Sequence, residues 1–156
     1  MVNVGAMNSR RYAAALAALG LVLAAIPIPS AHCPAWTVTA VEPSGNTVAG
    51  VTVRLSYTNY SAEGVQHEMD RTTDETGQAV FPPQTLYASA LRRAYYTVLS
   101  ACAGVHASFG PSAYVFGFGK GMEGHDVDPK GDILVFWHGQ PSRMASRIVM
   151  KPVSFR

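Results

Sequence analysis

The sequence predicts a mainly β protein, an antiparallel β-sandwich with one inserted amphipathic helical segment, and three observations carry that expectation. From Trp36 onward, apolar residues recur at every second position in short runs separated by Gly, Pro, Asn and Asp clusters. One stretch alone, Thr85–Ala103, switches to three-to-four spacing. Hydrophobic residues make up 48% of the 156 and charged residues only 14%, which suits a packed core and neither disorder nor the coating of a polyanion. The length suits one domain and leaves no room for separate cofactor and substrate lobes.

The first segment in order is a leader. Asn8-Ser9-Arg10-Arg11 is short, polar and basic, and Tyr12–Ile28 is an uncharged run rich in Ala and Leu, broken by Pro27 and followed by Pro29-Ser30-Ala31. That layout is a secretory signal peptide over residues 1–31, too short in its apolar part for a transmembrane anchor, with cleavage expected after Ala31. The mature domain is then 32–156, exported to the periplasm, the cell surface or the medium, with no membrane span after cleavage. Removing Arg10 and Arg11 lowers Lys plus Arg from 12 to 10, equal to the 10 Asp plus Glu, so the mature chain is neutral. A neutral domain of low charge density is no nucleic-acid binder. Ser30-Ala31-His32 lacks the residues that lipid attachment at Cys33 needs.

The strands follow. Trp36, Val38 and Ala40 alternate with Thr37, Thr39 and Val41 before a turn at Pro43-Ser44-Gly45-Asn46. Val51, Val53 and Leu55 give the second strand one apolar face and one wet one. Val65, His67 and Met69 share a face of the third, opposite the solvated Gln66, Glu68 and Asp70. Asp74-Glu75-Thr76-Gly77 is a turn, and Gln78–Phe81 is a strand ended by Pro82-Pro83. In Thr85–Ala103 the stripe Leu86, Ala90, Leu91, Ala94, Tyr95, Val98, Leu99, Cys102 predicts a helix capped by Thr85 and stopped at Gly104, covering a face or edge of the sheets. Strands resume at Val105–Phe109, Tyr114–Phe118, Ile133–His138 and Arg147–Val153. Gly119–Gly131, Gly-rich and acidic, reads as a mobile surface loop suited to a basic partner or a cation.

Cys33 and Cys102 are the only cysteines, and export places them where thiols oxidise, so one disulfide is expected. Closing a loop of about 70 residues is worth about 4 kcal/mol in the chain-entropy account.

Gly50-Val51-Thr52-Val53-Arg54-Leu55, followed by Thr72-Thr73-Asp74-Glu75-Thr76-Gly77-Gln78-Ala79-Val80-Phe81, resembles the signature of the carboxypeptidase regulatory-like domain. The resemblance implies a prealbumin-like sandwich, related to the Cna-B-type repeats of surface adhesins, and identifies a fold rather than an activity. Gly104–Pro111 and Ser146–Pro152 look like stretches of small exported bacterial proteins that carry this domain alone. The Lys-to-Asn isopeptide bond of many Cna-B-type repeats is not expected, because Trp36–Glu42 has no Lys and no Asn follows Asn59.

The expected function is a non-enzymatic structural or interaction module of the cell envelope, without a cofactor, contacting a protein or polysaccharide. No catalytic set converges: Ser108 or Ser112 with His106 lacks a nucleophile elbow, and adjacent Tyr95 and Tyr96 diverge too far to share iron with His125 and His138. Carbohydrate binding is the first alternative, through Tyr57 and Tyr60, while Trp36 and Trp137 sit at core-type positions. A metal site is the second: His125, Asp126, Asp128 and Asp132 gather potential ligands in one loop, although Lys130 and Trp137 stand where an EF-hand needs oxygen ligands.

Overall fold

Residues 4–127, 133–137 and 143–153 are described by a computed structural model of the chain. The Ala- and Leu-rich N-terminal segment forms helix α1, Val4–Ala25, as those residues favour. Pro27 cannot continue the helix, and the chain turns into strand β1, Pro27–Cys33. The expected cleavage position after Ala31 thus falls inside a strand. Strands β2 (Ala35–Val41), β3 (Thr52–Asn59), β4 (His67–Thr72), β5 (Gln78–Phe81) and β6 (Gln84–Ser89) come next, then helix α2 (Ala90–Ala101). Strands β7 (Pro111–Gly119), β8 (Met122–His125), β9 (Phe136–Trp137), β10 (Arg143–Val149) and β11 (Lys151–Pro152) complete the described chain.

The mainly β sandwich with an inserted helix is the fold observed. One sheet has the order β11-β8-β7-β3-β4, with β9 also on β7, a smaller one is β10-β2-β5, and β1 and β6 form a separate ribbon. Alternation places the core between the two larger sheets. Trp36, Val38 and Ala40 of β2 with Phe81 of β5 and Ile148 of β10 face Val53 and Leu55 of β3 and Ala113 and Val115 of β7. Trp36, fully buried, donates from Nε1 to Ser146 Oγ at 2.7 Å, which satisfies its one polar atom. Buried Thr73 ties the loop before β3 to the end of β4, donating to Val48 O at 2.8 Å and accepting from Val51 N at 3.1 Å. The Asp74 turn forms as expected: Asp74 Oδ1 accepts from Thr76 N and Gln78 N, both at 2.9 Å, and Gly77 takes the left-handed φ of 76° that the turn requires.

Several expectations are corrected. The β10–β2 pair is parallel, because the two strands before and after the β9–β10 crossing belong to different sheets and are not bound by hairpin geometry. The helix starts at Ala90, not Thr85: Ser89 Oγ caps it by accepting from Arg92 N at 3.2 Å, and Gln84–Ser89 instead pairs with β1. Its apolar stripe does not cover a sheet. Residues 104–106 are a 3₁₀ turn rather than a strand. The first half of the supposed mobile loop is a hairpin, in which Lys120 and Gly121, with φ of 52° and 69°, make the two-residue turn from β7 to β8. The expected disulfide is not formed: Cys33 is buried in the core and Cys102 caps α2 on the exposed surface.

Candidate metal centre

The chain brings together three ligand-type side chains, His32, Glu63 and His67, whose donor atoms all lie within 4.8 Å of one another. Each is placed by a different local device. His32 sits at an irregularity of β1, where the register against β6 shifts between Ala31 and Cys33. A bulge re-aims side chains, and here two successive residues, His32 and Cys33, both turn inward. Glu63 is held by the turn that closes β3. Asn59 Oδ1 accepts from Ser61 N at 3.1 Å, Asn59 O accepts from Glu63 N at 2.9 Å, and Glu63 Oε1 accepts from Asn59 N at 3.1 Å. His67 opens β4 directly across from Tyr57 in the β3–β4 register, and the two rings stack at 5.3 Å.

Glu63 is the hub. Its Oε2 lies 3.0 Å from His67 Nε2 and its Oε1 lies 2.5 Å from His32 Nε2. His32 and Glu63 are almost completely buried, whereas His67 is partly open to solvent. The polar contact shown for the buried His32 Nε2 is this one carboxylate oxygen. Burial lowers the His32 pKa against the opposing pull of Glu63, which favours the neutral imidazole, the form that can donate a lone pair to a metal. Burial also pushes the Cys33 thiol up to about 12, so it stays protonated beside the site. The Tyr57 phenol is raised by burial, then by Cys33 and Glu63. The His32 ring meets Tyr57 edge-on at 4.9 Å, so aromatic walls enclose the polar cluster.

Two imidazoles and one carboxylate form a set that a zinc-class ion accepts at about 2.0–2.2 Å, leaving a coordination position for water or a ligand. Tetrahedral ligands at that length stand about 3.3 Å apart. The three ligand atoms lie within 4.8 Å of one another, so the side chains would have to adjust to reach that spacing. A separate cleft of about 430 Å³ is lined by Ser30, Ala31, Asn59, Arg93, Phe109 and Pro111, and none of the three ligand-type side chains lines it.

The residues singled out from the sequence are distributed differently. Tyr57 belongs to this cluster, stacked on His67, and Tyr60 lies beyond the end of β3 at 37% exposure. His125 is exposed on β8 and its neighbour Asp126 is buried, so the two face opposite ways. Burial raises the Asp126 pKa against hydrogen bonds from Ser146 and Val127. Asp128, Asp132 and His138 lie outside the described residues, as does the side chain of Trp137. His106 is exposed in its 3₁₀ turn and Ser112 is buried in β7. Tyr95 and Tyr96 are both on α2, in edge-to-face contact at 5.1 Å.

No family model matches the chain, and no curated protein matches it. Among solved structures it is similar to 3-chlorocatechol 1,2-dioxygenase from Rhodococcus opacus 1CP, with 13% identity and a TM-score of 0.48, over 80% of this chain and 61% of that one. It is also similar to a mercury-inhibited catechol 1,2-dioxygenase from Acinetobacter sp. ADP1, with 12% identity and a TM-score of 0.44, over 80% of this chain and 54% of that one. The chain therefore spans less than two thirds of the length of either.

Proposed function

We propose that the chain is an exported, non-enzymatic β-sandwich module of the cell envelope that binds one zinc-class divalent ion through His32, Glu63 and His67. The observation that carries this reading is the convergence of buried His32 and Glu63 with His67, their ligand atoms all within 4.8 Å of one another around a carboxylate that faces both imidazoles. Export rests on the basic, then apolar, then small-residue order of residues 8–31, and the module reading on the resemblance of the Gly50–Phe81 stretch to the carboxypeptidase regulatory-like domain.

Isothermal titration of the metal-free protein with zinc tests it. One equivalent should bind, His67→Ala should weaken the affinity by at least 100-fold, and His32→Ala should do the same. Wild-type protein that takes up no zinc at micromolar concentrations, or binding unchanged by His67→Ala, removes the reading.

A further inference from the structure

The burial boundary of the chain coincides with the expected cleavage point. Among the described residues none before His32 is buried, and Ala31 itself is exposed, whereas His32, Cys33 and Pro34 are buried and Trp36 is fully so. Cys33 packs in the core, β2 follows at Ala35 between β10 and β5, and the Cys33–Gln84 partner pair lies beyond the cut. His32 is therefore anchored from its C-terminal side by residues that stay. A cut after Ala31 takes no described side chain out of the core.

Hydrolysis adds water across the Ala31–His32 peptide bond, leaving a carboxylate on Ala31 and a primary amine on His32. An amide nitrogen with no lone pair to give thereby becomes a ligand. An α-amine and the Nδ1 of the same histidine close a chelate ring on one ion, so the second ligand arrives at high effective concentration. The other ring nitrogen of His32, Nε2, faces Glu63 Oε1 at 2.5 Å, the arrangement in which a carboxylate fixes the tautomer and orientation of a metal-bound imidazole. The His32 and His67 rings are 5.3 Å apart and nearly perpendicular. Metal–nitrogen bonds of about 2.0–2.1 Å put each ring centre about 3 Å from the ion, so one ion can reach both rings.

We infer that removal of the leader completes this centre: the new α-amine of His32 joins its Nδ1 and the His67 imidazole in a three-nitrogen set that takes copper(II). The inference rests on the metal reading of the cluster proposed above and adds a ligand, a preferred ion and a trigger. Nitrogen ligands in a tetragonal arrangement suit copper(II), which also stands above zinc in the general affinity order. Glu63, a ligand in the uncleaved chain, passes after the cut to supporting His32 Nε2. Cleavage also takes Ser30 and Ala31 from the lining of the 430 Å³ cleft, on the side where the amine is created. Cys33, buried with its thiol protonated, stays outside the ligand set.

The full chain is expressed in an exporting bacterium, and its exported product is compared, in the same detergent, with an Ala31→Leu chain that a leader peptidase does not cut. Sequencing of the exported protein from its N-terminus should read His-Cys-Pro-Ala, and any other start overturns the inference. Titrated against a competing chelator, copper(II) should bind the exported protein at least 100-fold more tightly than it binds the Ala31→Leu chain. Its electron paramagnetic resonance should show coupling to three nitrogens, reduced to two once the α-amine is acetylated. That last comparison uses the exported protein alone, so it decides the matter even if Ala31→Leu fails to fold, and a spectrum unchanged by acetylation overturns the inference. Equal copper affinity in the two chains, with zinc still bound by Ala31→Leu, overturns it while the metal reading stands. Neither metal taken up by either protein overturns both.

Discussion

Replacing Glu63 separates the two jobs that its carboxylate performs. Glu63→Gln keeps the side-chain shape and an Oε1 that can still accept from the Asn59 N–H, but it removes the negative charge that faces both imidazoles. In the metal-free protein this variant should change the melting temperature little. Glu63→Ala instead leaves the buried Asn59 N–H without its acceptor, which costs about 1–3 kcal/mol with or without metal. Metal widens the difference. A ligand at 100 times its Kd stabilises the folded state by about 2.7 kcal/mol, or about 10 °C for a domain of this size. If loss of the anionic ligand weakens zinc about 100-fold, the same concentration gives only about 0.4 kcal/mol, a shift of one or two degrees. Differential scanning calorimetry with and without zinc reads all three proteins. A zinc-induced shift equal in wild type and Glu63→Gln would refute the reasoning, and so would a wild-type protein that zinc does not stabilise at all.

Four further outcomes are expected. Thr73→Val loses two buried hydrogen bonds, to Val48 O and from Val51 N, and should lower stability by about 2–3 kcal/mol in urea with an unchanged m-value. Gly124→Ala would place a Cβ 2.5 Å from Val149 O and 2.7 Å from Ile148 Cγ2 where β10 passes β8, an overpacking worth about 1–3 kcal/mol in thermal unfolding. Asp126 has its folded pKa raised by burial, so the folded state holds its proton above the unfolded value of 3.8; the cost of the buried carboxylate is felt at neutral pH and fades as pH falls through that window. Asp126→Asn should therefore stabilise at pH 7 and lose its advantage toward pH 4, and a pH-independent difference would contradict this account. In thiol titration of the non-reduced protein Cys102 should react at once and Cys33 only on unfolding, whereas a single linked peptide pair in mass spectrometry would restore the disulfide.

The strands of the sandwich were legible where one face is buried and the other wet. Val51, Val53 and Leu55 are fully buried while Thr52 and Arg54 are not, and the alternation says so without any structure. The Asp74–Gly77 turn was equally plain, because an Asx side chain and a left-handed Gly are local chemistry. What failed was everything that local pattern leaves to the rest of the chain. The stripe on α2 is real, but periodicity states only that a helix has two faces, not which one the domain takes. Three side-chain contacts, through Arg92, Tyr96 and Ser100, decided it. Gln84–Ser89 carries apolar residues that continue the helical spacing, and pairing with β1 overrode that preference. The cysteines failed for a related reason, since compartment chemistry can favour a bond whose partners the fold holds one in the core and one on the surface.

The candidate metal centre illustrates how far a site can be read before folding. Glu63 and His67 stand four apart, both are ligand types, and alternation already set His67 on the same face as Met69, which packs against the core. That pair is a signal legible in the sequence, though the loop holding His125, Asp126, Asp128 and Asp132 offers more carboxylates within fewer residues. Within that loop neighbouring residues on an extended chain point to opposite sides, as His125 and Asp126 do, while Asp128 and Asp132 lie outside the described residues. His32 carried no signal of its own. It comes 31 positions before Glu63, beside the expected leader boundary, and turns inward only because β1 slips register after Ala31. A site closed by such an irregularity depends on the ribbon. In the uncleaved chain the pairing of β1 with β6 holds His32 against Glu63, so there metal affinity and the integrity of that two-stranded ribbon should rise and fall together.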